Sequence, residues 1–341
     1  MRNARQQRVA TMRLDITVYS LLFAGGLGMA YWASLPAAES DPNKVSVIAV
    51  DPKNVVELTL TGGEASVTAV RRTGDNKFWI TYSKAPVAKP DGTAGDPAAA
   101  LNERFLSGEK IKDILDGLNP LEAQRAIGKL EDSQAEEFGL KDSKEKFTVK
   151  TTSGKSLSLV VGKQSYGSRN RFVRDEKDGR VLLINGDIIS DLSKANVRLY
   201  ERGLLSNPIE EATKAEAKAG TKAKKFDHSK KDATGNRIWA EDVENATANA
   251  SYKSWFDKLD RLRLMSYATD EQAASLDKEV PFLTVSIAKD EKSSDSLAFA
   301  RTTSGDKTEY WVKSSFLGSW AKLAENRMEP IEKDIPSILG N

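Results

Sequence analysis

Few residues in this chain are of types and spacings that could do chemistry. Ser107 and Lys110 stand at the Ser-x-x-Lys spacing of a serine–lysine dyad, which on a helix would bring a hydroxyl and an amine to one face. The companion motifs of such enzymes are missing, and Ser107 reads better as a helix start, where a hydroxyl accepts from free backbone N–H groups. Glu131, Asp132, Glu136 and Glu137 crowd another predicted helix N-terminus. Carboxylates are favoured there by the helix dipole, and a calcium site would normally draw ligands from more than one element, so a solvated acidic face is expected. The single histidine, His228, lies among Lys224, Lys225, Lys230 and Lys231, whose charge opposes a bound cation. With no cysteine, disulfides, thiolate nucleophiles and Cys-ligated metals drop out together. Neither a Gly-x4-Gly-Lys-Ser/Thr phosphate loop nor a Gly-x-Ser-x-Gly elbow occurs, so any ATP would be hydrolysed by a partner. No catalytic, cofactor or metal residue is assigned, and a non-enzymatic role is expected.

Aromatic residues are the other candidates. Trp255, Phe256, Tyr310, Trp311, Phe316 and Trp320 concentrate in the second half of the chain. Core packing is the default for such residues; an interaction surface built on Trp255, Tyr310, Trp311 and Trp320, or a glycan platform, are the alternatives.

The element that would position all of these is an uncharged run, Ile16 to Ala38, of 23 residues. As a helix it would span ~34 Å, enough for a hydrocarbon core of ~30 Å. Arg2, Arg5, Arg8 and Arg13 precede it with only Asp15 against them, which places the N-terminus in the cytoplasm and the rest of the chain outside. Tyr31 and Trp32 fall where amphipathic rings prefer the outer headgroup level. Two rivals to a retained inner-membrane anchor are a cleaved signal peptide, for which Ala38-Glu39-Ser40 is a tolerable site, and an organellar presequence over the Arg-rich Met1 to Leu14. Ala24/Gly28 and Gly26/Ala30/Ser34 follow a small-xxx-small spacing that lets a second helix approach closely, pointing to a membrane partner or a homo-oligomer.

Beyond residue 15 the chain holds 47 basic and 48 acidic residues, so no single-sign field argues for nucleic acid. A hydrophilic, mixed-charge, Cys-free exterior fits the periplasm of a Gram-negative cell. At about 150 residues per domain the exterior divides into two units. The expected layout is a basic tail over 1–15, a transmembrane helix over 16–38, a first α+β repeat over 44–205 and a second, divergent one over 206–341.

Alternation of apolar residues from Val45 to Tyr82, with turns at Gly62-Gly63 and Gly74-Asp75-Asn76, predicts a small antiparallel meander. Ala85 to Ala100 is expected to be an exposed loop. Phe105, Ile111, Ile114, Leu115 and Leu118 recur at helical spacing and predict an amphipathic helix over 103–121, ending at Asn119-Pro120. Ser133-Gln-Ala-Glu136 reads as a capping box, with Gly139 at the left-handed C-cap. Strands follow at 147–151, 157–161, 171–174 and 181–184, then a closing helix over 188–199.

The second half repeats this order. Thr269-Asp-Glu-Gln272 reproduces the capping box, and Leu276 follows Thr269 at the interval that separates Leu140 from Ser133. Phe147-Thr148-Val149 corresponds to Leu283-Thr284-Val285, Leu157 and Leu159 to Leu297 and Phe299, and Arg171-Phe-Val-Arg174 to Tyr310-Trp-Val-Lys313. Glu210 to Lys225 alternates Ala with polar residues where the first repeat has its meander, so a weak polar hairpin is favoured over a linker there. The strand after Lys313 is hard to find.

Val55-Val56-Glu-Leu-Thr-Leu60, Phe78-Trp79-Ile80, Glu137-Phe-Gly139-Leu140, Gly154 to Lys163, Arg171 to Arg174 and Arg198-Leu-Tyr-Glu-Arg202-Gly-Leu-Leu205 together resemble the domain-of-unknown-function family numbered forty-three forty, over roughly residues 45 to 205. The resemblance implies an envelope protein with one N-terminal membrane helix and an exported repeat domain. Members often accompany gliding-motility-type ABC transport systems, which implies a partner such as an ABC permease or auxiliary subunit. The family supplies no catalytic residues to carry over. The expectation is therefore an α+β protein, a single transmembrane helix followed by two related lobes with antiparallel sheets, acting as an accessory or scaffold subunit. A periplasmic glycan-binding module and a cryptic envelope hydrolase are the alternatives.

Overall fold

Strands β2 (Val55–Thr61), β3 (Ala65–Arg71) and β4 (Phe78–Lys84) form because every second side chain is apolar: Leu58, Leu60, Val67, Ala69, Phe78 and Ile80 all point to one buried face. At the first hairpin only glycine fits. Gly62 has φ +78°, and a Cβ on it would stand 1.8 Å from the Lys144 carbonyl oxygen. The computed structural model describes residues 45–86, 100–305 and 307–340. The apolar run at 16–38, with Ala24, Gly26, Gly28, Ala30 and Ser34, lies outside them, as does most of the loop expected over 85–100. Among the described residues no helix is long and apolar enough to cross a membrane.

The fold is mixed α+β with two antiparallel sheets. The remaining strands of the first are β1 (Val45–Ile48), β5 (Leu101–Leu106), β6 (Leu121–Gly128), β7 (Lys146–Thr151), β8 (Ser156–Gln164), β9 (Arg171–Asp175) and β10 (Val181–Ile184). They run in the order β1-β6-β10-β9-β8-β7-β2-β3-β4-β5. The second sheet consists of β11 (Lys214–Ala219), β12 (Lys222–Asp227), β13 (Ala240–Glu241), β14 (Leu264–Tyr267), β15 (Leu283–Ala288), β16 (Ser294–Ser304), β17 (Lys307–Ser314) and β18 (Ser319–Leu323), in the order β13-β12-β11-β15-β16-β17-β18-β14. Strand by strand, the second order matches the stretch β4-β3-β2-β7-β8-β9-β10-β6 of the first. Register agrees as well. Phe147 faces Leu159 and Val149 faces Leu157, as Leu283 faces Phe299 and Val285 faces Leu297. One correspondence shifts by two residues: Val173 pairs with Val161, whereas Val312 pairs with Phe299, the counterpart of Leu159. A two-residue shift leaves the buried face unchanged.

Helices cover the sheets. In the first half α1 (Ile111–Asp116), α2 (Asp132–Glu137), α3 (Asp187–Ser193) and α4 (Ala195–Arg198) are short; α3 packs on β2 and β3, and α4 on β4. In the second, α5 (Ala250–Asp260) and α7 (Glu325–Leu339) lie against each other, and α7 also covers β11, β12 and β17; α6 (Asp270–Leu276) sits on β18. Leu140 and Leu276 have equivalent tasks. Leu140 closes a small cluster with Ala135, Val160 and Val181, and Leu276 one with Ala300, Trp311 and Trp320.

Several expectations need correction. The helix over 103–121 is a strand followed by one and a half turns: Phe105 belongs to β5, paired opposite Ile80, and only Ile111–Asp116 is helical before the cis Asn119–Pro120 bond. The backbone edge of β4 supplies hydrogen bonds along six residue pairs, which outweighs the helical spacing of the apolar residues. Val45–Ile48 is not part of the meander but lies beside β6, at the other edge of the sheet. The first capping box starts earlier, at Glu131, whose N–H donates to Gln134 Oε1 at 3.3 Å, so Ser133 is inside α2. The second stands as read: Gln272 N–H donates to Thr269 Oγ1 at 3.2 Å and Thr269 N–H to Gln272 Oε1 at 3.0 Å. The Ala/Lys segment is a hairpin, β11–β12, closed by Gly220-Thr221 with Ala219 opposite Lys222. Its alanines suit α7, which lies against that strand. The elusive strand after Lys313 is β18.

Candidate functional site

Of the sequence-derived site residues, the four aromatics are in the core rather than on a surface. Trp255 is fully buried, its indole N–H donating to the Ile331 carbonyl at 3.2 Å, and Tyr310, Trp311 and Trp320 are 5%, 4% and 3% exposed. Trp311 and Trp320 fill the layer under α6, and Tyr310 O–H donates to Glu332 of α7 at 2.6 Å. Burial, with the Glu332 carboxylate beside it, pushes the Tyr310 phenol up to about 12. An exposed binding platform of these rings is thereby replaced by packing: Tyr310 meets α7, Trp311 and Trp320 meet Leu276 of α6, and Trp255 lies between α5 and α7.

Ser107 and Lys110 are not brought together. Ser107 is buried and its Oγ accepts from Phe78 N–H at 2.8 Å, while Lys110 Nζ pairs with Asp113 at 2.7 Å and lies 3.9 Å from Asp191. Glu136 pairs with Lys141 at 3.3 Å. Among the described residues no group of three His, Cys, Asp or Glu could hold a metal ion. His228 is a core residue: its ring stacks on Trp239 at 4.2 Å, Trp239 stacks on Phe256 at 3.8 Å, and Nδ1 is 3.0 Å from the Ala212 carbonyl oxygen.

What the fold does bring together is the connection between the sheets. Leaving α4, the chain runs as a short strand between the edges of β5 and β14. On one side Gly108 N–H donates to the Leu199 carbonyl at 2.7 Å, Glu201 N–H donates to the Leu106 carbonyl at 2.9 Å, and Tyr200 bridges Ser107 antiparallel. On the other, Leu264 N–H donates to the Arg202 carbonyl at 3.1 Å and Tyr267 N–H to Tyr200 Oη at 3.2 Å. One segment thus bonds the end of β5 and two N–H groups of β14, at what are otherwise the open edges of the two sheets.

Side chains reinforce the seam. Tyr200 stacks on Phe105 at 4.6 Å and meets Tyr267 edge-on at 5.5 Å; Tyr267 in turn meets Trp79 at 6.2 Å. Tyr267 O–H donates to the Glu201 carbonyl at 3.3 Å. Burial holds both phenols, Tyr267 most strongly, above the usual tyrosine range, so both remain neutral, Tyr267 donating to the Glu201 carbonyl and Tyr200 accepting from Tyr267 N–H. Lys77 crosses to Glu201 at 2.7 Å and stands 5.0 Å from the Phe316 ring centroid. Arg72 donates to the Phe316 carbonyl at 2.5 Å, and Ser314 O–H to the Leu204 carbonyl at 2.6 Å. A groove of about 460 Å³ runs alongside, with Lys110, Arg198, Arg202 and Arg263 on its walls. The chemistry available here is mechanical: hydrogen bonds, the Lys77–Glu201 ion pair and packed rings that hold two sheets in one arrangement.

Sequence reasoning missed this site because Trp79, Phe105, Tyr200 and Tyr267 lie far apart in the chain. One signal was present, since Tyr200 and Glu201 sit inside Arg198–Leu205, the last of the stretches that carried the family resemblance.

Two antiparallel sheets joined by a stitched connection define an α+β protein whose shared feature is structural. The chain belongs to the family described as Domain of unknown function (DUF4340), which matches residues 106–279, just over half of the chain. The match begins at the last residue of β5 and ends beyond α6, so it reaches into both sheets and contains the connection Leu199–Arg202 and Tyr267, while Trp79 and Phe105 of the seam lie before it. No curated protein and no solved structure matches the chain.

Proposed function

We propose that this protein is a non-enzymatic, membrane-anchored accessory or scaffold subunit of an envelope complex of the ABC-transport or gliding-motility-like kind. In this reading residues 16–38 hold it in the inner membrane with the N-terminus cytoplasmic. The two sheets, with their matching strand orders, are two divergent copies of one unit, and they present fixed surfaces to partners in the periplasm. The observation that carries the reading is the seam at Leu199–Arg202, where backbone pairing to both sheet edges and a four-ring aromatic cluster hold the halves rigidly, as a spacer or docking body requires. Burial of the Ser107 hydroxyl against Phe78 N–H supports the non-catalytic side of the reading.

The membrane partner is engaged through the small-residue face Ala24, Gly26, Gly28, Ala30 and Ser34, where close helix approach is the available source of affinity in lipid. Replacing Ala24 and Gly28 with Leu should reduce recovery of a co-purifying permease or auxiliary subunit from gently solubilised membranes. Undiminished recovery with both substitutions in place would refute the anchor-mediated contact.

A further inference from the structure

A second cleft, of about 380 Å³, lies between the β8–β9 turn and α3 and shares Arg198 with the groove at the seam. Three guanidinium groups line it, Arg169, Arg171 and Arg198, together with Gln164 and Ser190, against one carboxylate, Asp187. Gly186 lets these groups crowd together. A Cβ at that position would stand 2.2 Å from the Arg169 carbonyl oxygen and 2.8 Å from the Arg171 side chain, so a residue with a side chain would push α3 away from the β8–β9 turn.

The three cations are committed to different degrees. Arg171 is held by the Gly162 carbonyl at 3.1 Å and by Glu145 at 3.3 Å. Arg198 is held by Asp191 at 2.5 Å, a carboxylate almost wholly buried behind the wall. Each of these contacts uses part of a five-donor fork and fixes the head in place, leaving further N–H groups for a ligand. Arg169 is different: its side chain is 85% exposed and, among the described residues, its one ionic neighbour is Asp187 at 3.8 Å, near the limit of an ion pair. It is a cation on the rim of a cleft whose other two cations are anchored.

We propose that this cleft binds a phosphate-type oxyanion, with Arg198 and Arg171 as fixed donors, Ser190 supplying a hydroxyl, and Arg169 closing over the ligand as it leaves Asp187. Several forked N–H donors around one small polar cavity are what a tetrahedral, multiply charged group requires, and more than a single carboxylate would use. The oxyanion could arrive free in solution or as part of a glycerophosphate headgroup. The proposal is independent of the accessory role, which rests on the anchor and the seam and is tested by co-purification.

The test is titration calorimetry of the full-length protein in neutral detergent, at constant ionic strength, with inorganic phosphate and with glycerol 1-phosphate as probes. Saturable binding of either supports the site, and the tighter of the two identifies the source. Arg169→Ala should weaken binding about tenfold. Asp187→Asn should tighten it by up to about fivefold, since it removes the carboxylate that competes for Arg169, and a misfolded variant would not do so. Heat that does not saturate with either probe, affinity unchanged in Arg169→Ala, or affinity unchanged or weaker in Asp187→Asn would each overturn the proposal.

Discussion

If the seam couples the two sheets, removing one ring from it should be felt by the whole molecule. Tyr267 is the member to choose, because it is buried and touches both Tyr200 and Trp79. Truncating a buried aromatic to alanine typically costs about 3–5 kcal/mol through lost transfer energy and the cavity left behind. The lost hydrogen bond to the Glu201 carbonyl adds about 1 kcal/mol. Partial collapse of Tyr200 and Trp79 into the space should return some of this, so Tyr267→Ala is expected to destabilise the junction by about 4 kcal/mol. A native stability of about 5–15 kcal/mol makes that a large fraction. Tyr267→Phe keeps the ring and should cost only about 1 kcal/mol. Urea unfolding followed by tryptophan fluorescence reads both halves, since Trp79 belongs to the first sheet and Trp311 and Trp320 to the second. Wild type should unfold in one transition and Tyr267→Phe in one slightly earlier. Tyr267→Ala should show a lower midpoint and a shallower slope, as the sheets begin to melt apart. A Tyr267→Ala variant with the midpoint and slope of wild type would refute the idea that the seam is what joins them.

Two further outcomes are expected. Burial holds the His228 pKa below its ordinary value of about 6.5, against a smaller opposing pull from the Ala212 carbonyl. The unfolded chain therefore takes up the proton first, so stability present at neutral pH is lost as pH falls below about 6.5. Because His228 is the only histidine, its imidazole resonance can be followed alone by NMR, and a midpoint at or above 6.5 would contradict the buried, Trp239-stacked environment. Gly62→Ala should destabilise by about 3 kcal/mol or more, combining a left-handed backbone with a Cβ 1.8 Å from the Lys144 carbonyl oxygen. Gly74→Ala is the control, because Gly74 also has positive φ but no atom near the added methyl, so thermal denaturation should separate the two.

Local patterns were legible where local chemistry decides. Thr269 and Gln272 bond each other as their spacing implies, Gly139 has the positive φ of a left-handed helix end, and the alternation of Ala215 and Ala217 with charged residues survives as strand despite high helix propensity. Equivalence of Leu140 and Leu276 also reflected a real shared role, closing the layer under α2 and α6. What failed was set by distant partners. Phe105 looked helical beside Ile111 and Ile114, but β4 needed a neighbour for its outer edge, and Leu101–Leu106 provided one. Val45–Ile48 looked like the first strand of a meander, yet it sits beside β6, more than seventy residues away in sequence. Tryptophans read as a candidate surface sit under α6 and α7, which depends on where those helices pack. The seam left one trace, the Arg198–Leu205 stretch that holds Tyr200 and Glu201; its other rings come from β4, β5 and β14, far apart in the chain.

A single stretch pairing with both sheets also changes what counts as the heritable piece of this protein. Dividing the gene at residue 205 would leave each half with a raw strand border, β14 in one half and the connection's outer side in the other, and such borders invite aggregation. Neither half is then an independent building block, although each has a complete sheet. The family match, which leaves out β1–β4, all but the last residue of β5, and β15–β18 but keeps Leu199–Arg202 and β14, is drawn about the hinge pin rather than about either leaf.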